Sequence, residues 1–361
     1  MESGMGERRI ARGSWLVRES AAVSRARRMP YDSVVPALLE IRDLVIHYAS
    51  GEGSPVVAVD EMSLDVEEGE VVGLLGESGC GKTTVLLAVL GLLPPPARVM
   101  RGSIRFRGRE LLALGGPDLR RVRGAEISIV FQEPTLALNP VRRVGPQVAE
   151  VAHAHGQSNR HRCREEASSM LAEVGFAEVD RIYDAYPHEL SGGQRQRVVF
   201  AQALVCRPAL VLADEPTAAL DSTTQAELRG LLSALQDRFR LALLLVSHDL
   251  GALAALARRV LVMYAGRLVE AGRPGQVFHD PLHPYSRGLL RAWPRAVAPL
   301  ASAETGLPEP IPGAPPDLAR LPPGCAFEPR CPDRLPACTE RPPQEVRPAD
   351  DRRVRCFTYG G

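Results

Sequence analysis

The sequence predicts an α/β fold in which a hydrophobic strand runs into a phosphate-binding loop and then a helix. Three observations carry this. Gly76-Glu77-Ser78-Gly79-Cys80-Gly81-Lys82-Thr83 fits the spacing G-x-x-x-x-G-K-[ST]. An apolar run, Val71-Val72-Gly73-Leu74-Leu75, leads into it, and residues 83–93 read as a helix that stops before Pro94. Finally, Lys82 is the one lysine among 44 basic residues. A compact ammonium fits between two phosphates where a planar guanidinium does not, so this position stays lysine in a chain that has otherwise drifted to arginine.

The other elements follow in order. Residues 1–36 are arginine-rich and without sustained periodicity, and read as a disordered tail; a transit peptide, or a start at Met29, fits the same composition. Residues 39–48 and 56–66 read as strands flanking a glycine turn at 51–53. Residues from about 139 to 190 are more polar and helical, most clearly at 164–174, and read as an inserted helical subdomain. The α/β pattern resumes with a helix from about Gln194, a strand at 210–213, a helix at 223–239, and a strand at 241–246. Short strands follow near 260–264 and 267–269. Residues 37–275 thus form one nucleotide-binding domain, and 276–361 a C-terminal extension. Of residues 308–343, twelve are proline, which excludes an ordinary helix or central strand there.

Composition narrows the function. A net charge of +1 gives no broad surface for nucleic acid, and 5% aromatic content argues against a single-strand stacking platform. No apolar run approaches the ~18–20 residues that span a bilayer. No hydrophobic signal segment precedes the first strand, so a reducing cytoplasm is expected and disulfides are not.

The chemistry rests on three segments. In the loop, glycines let successive N–H groups converge on an anion at a helix N-terminus. Gly76, Glu77, Ser78, Gly79, Cys80, Gly81, Lys82, Thr83 and Thr84 are its nucleotide-binding candidates. Lys82 also counts as catalytic at the β/γ-phosphates, and Thr83 as a Mg²⁺ ligand. Leu210-Val211-Leu212-Ala213-Asp214-Glu215 is a strand ending in two acids: Asp214 for Mg²⁺, Glu215 to orient or deprotonate the attacking water. A lone acid there would read as a helix cap. Leu190-Ser191-Gly192-Gly193-Gln194 opens a helix and can form a second anion site, or a serine cap on a flexible turn.

This last segment resembles the signature motif of ATP-binding-cassette (ABC) ATPases, and the rest follows in that family's order. Gln132, in Val130-Phe131-Gln132-Glu133-Pro134, resembles the Q-loop glutamine, which implies a catalytic, nucleotide-binding and Mg²⁺-ligating residue. Ala219-Leu220-Asp221 resembles the D-loop, His248 the catalytic switch histidine, and Tyr48 the aromatic that stacks on adenine. The resemblance implies a RecA-like core with an antiparallel β subdomain and a helical subdomain. It implies ATP and Mg²⁺ as cofactors, and a head-to-tail dimer in which Ser191, Gly192, Gly193 and Gln194 meet the partner's nucleotide.

His283-Pro284-Tyr285, Leu138-Asn139-Pro140 and the segment from Pro323 to Cys331 are similar to the oligopeptide/dipeptide/nickel importer ATPases. That implies two transmembrane permease subunits, a second ATPase subunit, identical or paralogous, an extracytoplasmic solute-binding protein, and a place on the cytoplasmic face of the membrane. The alternative is a soluble ABC ATPase outside transport. Cys325, Cys331, Cys338 and Cys356 invite a metal centre, because a small proline-rich lobe buries too little apolar area to fold alone. The spacing fits neither a usual zinc site nor a ferredoxin run. The family resemblance favours [4Fe–4S], with zinc or no metal open.

Overall fold

The computed structural model describes residues 37–49, 55–156, 159–218, 220–292 and 309–360. The arginine-rich stretch 1–36, the glycine turn at 51–53 and Ala219 of the D-loop segment lie outside the described residues.

The strands in chain order are β1 (Leu39–Tyr48), β2 (Val56–Val66), β3 (Val71–Leu75), β4 (Ala97–Phe106), β5 (Arg109–Glu110) and β6 (Ile127–Val130). They continue with β7 (Leu210–Asp214), β8 (Ala242–Val246), β9 (Arg259–Tyr264), β10 (Arg267–Gly272), β11 (Val346–Ala349) and β12 (Arg352–Val354). One sheet is antiparallel, in the order β2-β1-β4-β5. The other runs β11-β12-β10-β9-β3-β8-β7-β6, with β6, β7, β8, β3 and β9 parallel.

Every residue of β3, β7 and β8 is buried. Strands covered on both faces have no wet side, so they read as unbroken apolar runs, not alternating ones. The carboxyl ends of these strands lead directly into the functional segments: β3 into the glycine loop, β6 into Gln132, β7 into Glu215 and β8 into His248. That edge is where an open parallel sheet binds ligands.

Helices Val144–Ala154, Arg160–Glu173 and Val179–Asp184 occupy the polar stretch before Ser191. Asn159 begins the second by accepting from the His161 and Arg162 amides. The first and third helices meet closely at Gly145, where a β-carbon would lie 2.1 Å from the Tyr183 ring.

Several elements differ from the sequence reading. The helix after the loop is shorter, Lys82–Val89, with Leu90 as its C-cap. Strand β4 was not foreseen: its Arg98, Met100 and Arg101 are exposed or partly so, and pairing along β1 decides its conformation, not its own apolar pattern.

The C-terminal extension does not stand apart. Phe327 is 2% exposed and packs on Tyr264 and Tyr285, with ring centroids 5.1 and 5.4 Å away. Beyond the prolines, β12 pairs with β10 and carries the main sheet outward. Buried Glu270 of β10 accepts from the Leu282 and His283 amides at 2.9 Å each, and Arg352 of β12 reaches it at 3.2 Å. The lobe therefore draws part of its apolar burial from residues 37–275, through Tyr264. That weakens the argument that it needs a metal in order to fold.

The candidate nucleotide site

The glycine loop bends tightly between β3 and its helix. Gly81 has φ of 108°, and a β-carbon there would lie 2.2 Å from the Ala58 carbonyl oxygen, so only glycine fits. Lys82 is 5% exposed. Its ammonium donates to the carbonyls of Gly76 at 2.8 Å and Glu77 at 2.9 Å, which draws it across the mouth of the loop. Cys80 is buried beside it, and burial pushes that thiol up. Ser78 and Gly79 are exposed. Tyr48, at the end of β1, lies 3.5 Å from the Thr84 hydroxyl, oxygen to oxygen.

The Thr83 hydroxyl donates to Asp214 Oδ2 at 2.7 Å. Burial raises the Asp214 pKa, opposed by this hydrogen bond and by the Lys82 charge. A hydroxyl and a carboxylate side by side are hard oxygen donors of the kind Mg²⁺ prefers.

Glu215 follows with φ of 47°, a left-handed conformation uncommon for a residue with a side chain. Its amide donates to the Val246 carbonyl at 2.9 Å, which ties it to the neighbouring strand end. Its carboxylate is gripped from two sides. Gln132 Nε2 donates to Oε2 at 3.2 Å, and His248 Nε2 lies 2.5 Å from Oε1. Burial and the Lys82 charge lower the His248 pKa, while Glu215 opposes them. A neutral imidazole must then carry its proton on Nε2 to donate to the carboxylate.

Lys82, Thr83, Asp214, Gln132, Glu215 and His248 thus converge, although they come from four segments. Ser191, Gly192, Gly193 and Gln194 are arranged differently. Ser191 Oγ accepts from the Gln194 amide at 3.2 Å, and the Gln194 side chain accepts from the Ser191 amide at 3.0 Å. This capping box satisfies the helix Gly192–Leu204 within itself. Asp221 likewise caps Ser222–Phe239, and its bonds to the Thr224 amide and hydroxyl hold its carboxyl below the usual range.

The cysteines depart from expectation. Cys325, Cys331, Cys338 and Cys356 do come into electrostatic reach of one another. Burial, with the neighbouring thiols adding, pushes Cys325 up to about 11; burial, with Asp333 and other thiols adding, does the same to Cys331. Yet among the described residues no three His, Cys, Asp or Glu side chains stand where they could hold one metal ion. Local polar partners occupy two of the thiols: Cys338 Sγ accepts from the Leu335 amide at 3.4 Å, and Cys356 Sγ lies 3.5 Å from Thr358 Oγ1.

Sequence reasoning missed Arg330. It binds Glu77 of the loop, 253 residues away in the chain, and no spacing rule connects the two.

A loop, an acid-tipped strand and a glutamine–glutamate–histidine cluster at one sheet edge define an ATP-hydrolysing P-loop protein. Comparison with known proteins places it further. Residues 59–218 match the family model "ABC transporter", and 269–338 match "Oligopeptide/dipeptide transporter, C-terminal region". The oligopeptide transport ATP-binding protein OppD of Salmonella typhimurium is 45% identical over 309 residues, covering 86% of this chain and 90% of that protein. The dipeptide transport ATP-binding protein DppD of Bacillus subtilis is 41% identical over 321 residues, covering 89% and 94%. A solved dimer of the cassette MJ0796, in a post-hydrolysis state with ADP and Pi, superposes with a TM-score of 0.58 at 27% identity, covering 65% of this chain and 98% of that one. The chain belongs to the ABC transporter ATP-binding family, within the group that carries the oligopeptide/dipeptide C-terminal region.

Proposed function

We propose that this ATPase energises import of oligopeptides or dipeptides through a membrane transporter. The observation that carries the reading is the pairing of a complete cassette site with the C-terminal region of peptide transport ATPases on one chain. Lys82 and the loop amides bind the triphosphate. Thr83, Asp214 and Gln132 would hold Mg²⁺, which would offset the negative charge of the triphosphate. Glu215 takes the proton of the attacking water, with Gln132 and His248 fixing its two oxygens. Tyr48 stacks on the base. The Ser191–Gln194 turn serves the nucleotide of a second copy or a paralogous subunit, and its own capping hydrogen bonds hold it preformed for that contact. The cassette dimer of MJ0796 supports that arrangement.

The chain would sit against two permease subunits at the cytoplasmic face, fed by an extracytoplasmic binding protein. Leu136 and Val141 are 85% and 79% exposed just after Gln132, and give an apolar contact for the permeases. No described helix is long and apolar enough to cross a membrane. Co-expressed with its permeases, the chain should fractionate with membranes; expressed alone, it should not. Persistent absence from membranes in the co-expression would overturn the transport reading in favour of an ATPase outside transport.

The [4Fe–4S] centre at Cys325, Cys331, Cys338 and Cys356 remains a separate proposal. Their mutual proximity supports it, and their placement away from any ligating arrangement counts against it. About four irons per chain after anaerobic purification would establish the cluster. Iron-free protein that is folded and active would remove it.

A further inference from the structure

Glu77 is the one acid in a loop whose task is to hold a polyanion. Its carboxylate is bound fork to fork by Arg330, Nη1 to Oε2 at 2.7 Å and Nη2 to Oε1 at 2.9 Å. Both groups are withdrawn from solvent, with side-chain exposures of 6% for Arg330 and 22% for Glu77. Arg330 is itself anchored. Its Nε donates to the Pro312 carbonyl at 2.9 Å, and its guanidinium lies 5.9 Å from the Tyr264 ring centroid and 6.0 Å from that of Phe327. The Glu77 amide donates to the Tyr285 hydroxyl at 2.7 Å.

The Glu77 residue is therefore fixed at every polar group. Tyr285 holds its N–H, Arg330 its side chain, and Lys82 its carbonyl. Two of those three partners come from the C-terminal region, and both belong to segments with no part in the chemistry described above. Any shift of Glu77 passes directly to the Lys82 ammonium. If the guanidinium were absent, a carboxylate charge would stand uncompensated beside the triphosphate.

We propose that Arg330 is a positioning residue of the nucleotide site: it neutralises Glu77 and, with Tyr285, fixes the start of the phosphate loop. The C-terminal lobe thereby sets the loop's affinity for nucleoside triphosphates. This rests on the reading that residues 76–84 bind ATP.

The test uses the full chain and ATP itself, with binding measured by calorimetry and turnover by phosphate release. Arg330→Gln should raise the ATP Kd roughly tenfold, the effect of one uncompensated unit charge near a polyanion at an intermediate dielectric. KM should rise with it, while kcat at saturating ATP falls by less than the Kd rises, because Gln132, Glu215 and His248 keep their contacts with one another. The signature is charge-specific. Adding Glu77→Gln to Arg330→Gln removes the uncompensated carboxylate, so the double variant should return to within about threefold of the wild-type Kd. A structural role would leave the double variant as weak as Arg330→Gln alone, and that result, or wild-type affinity in the single variant, overturns the proposal. Should Arg330→Gln fail to fold, Tyr285→Phe keeps the ring packing and removes only the acceptor. It should weaken ATP binding several-fold, since a hydrogen bond of this kind contributes on the order of a tenfold effect, and unchanged affinity counts against the proposal. A wild-type chain that binds no ATP would fail the site reading itself, a different outcome from either.

Discussion

Glu215 joins an unusual backbone to a doubly held carboxylate. The φ of 47° aims the side chain between Gln132 and His248, and the Val246 carbonyl keeps it there. Glu215→Gln keeps the shape and removes the base. ATP binding should persist while phosphate release falls by ~10²–10⁴. Normal turnover in that variant would move the base elsewhere. The role of this residue was legible from two adjacent acids at a strand end. Its grip by glutamine and histidine was not, since each side chain comes from a different segment and only the fold brings them together.

At the scale of elements, the C-terminal extension is the most informative. Its first helix, Pro284–Ala292, is preceded by His283, which is 2% exposed. His283 Nδ1 accepts from the Tyr285 amide at 3.0 Å. Burial, with the Arg287 charge adding, lowers the His283 pKa from 6.5 to about 3. The folded state thus keeps the ring neutral where an unfolded chain would protonate it. Between about pH 6.5 and pH 3 the unfolded state binds more protons, so stability falls as pH falls, by at most about 1.4 kcal/mol per pH unit from this group. Denaturant midpoints should drop between pH 7 and pH 5, and His283→Gln should flatten that drop. An unchanged slope in the variant would mean that His283 is protonated in the fold. The sequence marked His283-Pro284-Tyr285 as a family feature but gave no hint that Tyr285 reaches the phosphate loop. Proline content excluded long helices from residues 308–343, but the two strands beyond them went unread, because β12 forms by pairing with β10 and β11 by pairing with β12, not by their own composition.

For the whole molecule, the parallel core was the easiest part to read, because strands buried on both faces leave continuous apolar runs. The antiparallel sheet was half legible. β1 and β2 carry apolar residues at alternating positions over much of their length, whereas β4 is arginine-rich on its open face. The metal expectation arose from treating the C-terminal lobe as an independent body, and the aromatic packing of Phe327 with Tyr264 and Tyr285 shows where its burial comes from. If the Ser191 turn serves a second copy, the Glu215→Gln chain held with ATP should run at about twice its mass on size exclusion, as trapped nucleotide joins two cassettes.

The solitary Lys82 has one more consequence. Lysine is the residue that acetyl groups, amine-reactive dyes and lysine-specific proteases act on, and this chain offers them a single side chain, buried and engaged with two carbonyls. A folded molecule is thus nearly inert to side-chain amine chemistry. Any modification that does attach there lands on the one group the nucleotide cannot do without, so labelling and loss of activity should be the same event.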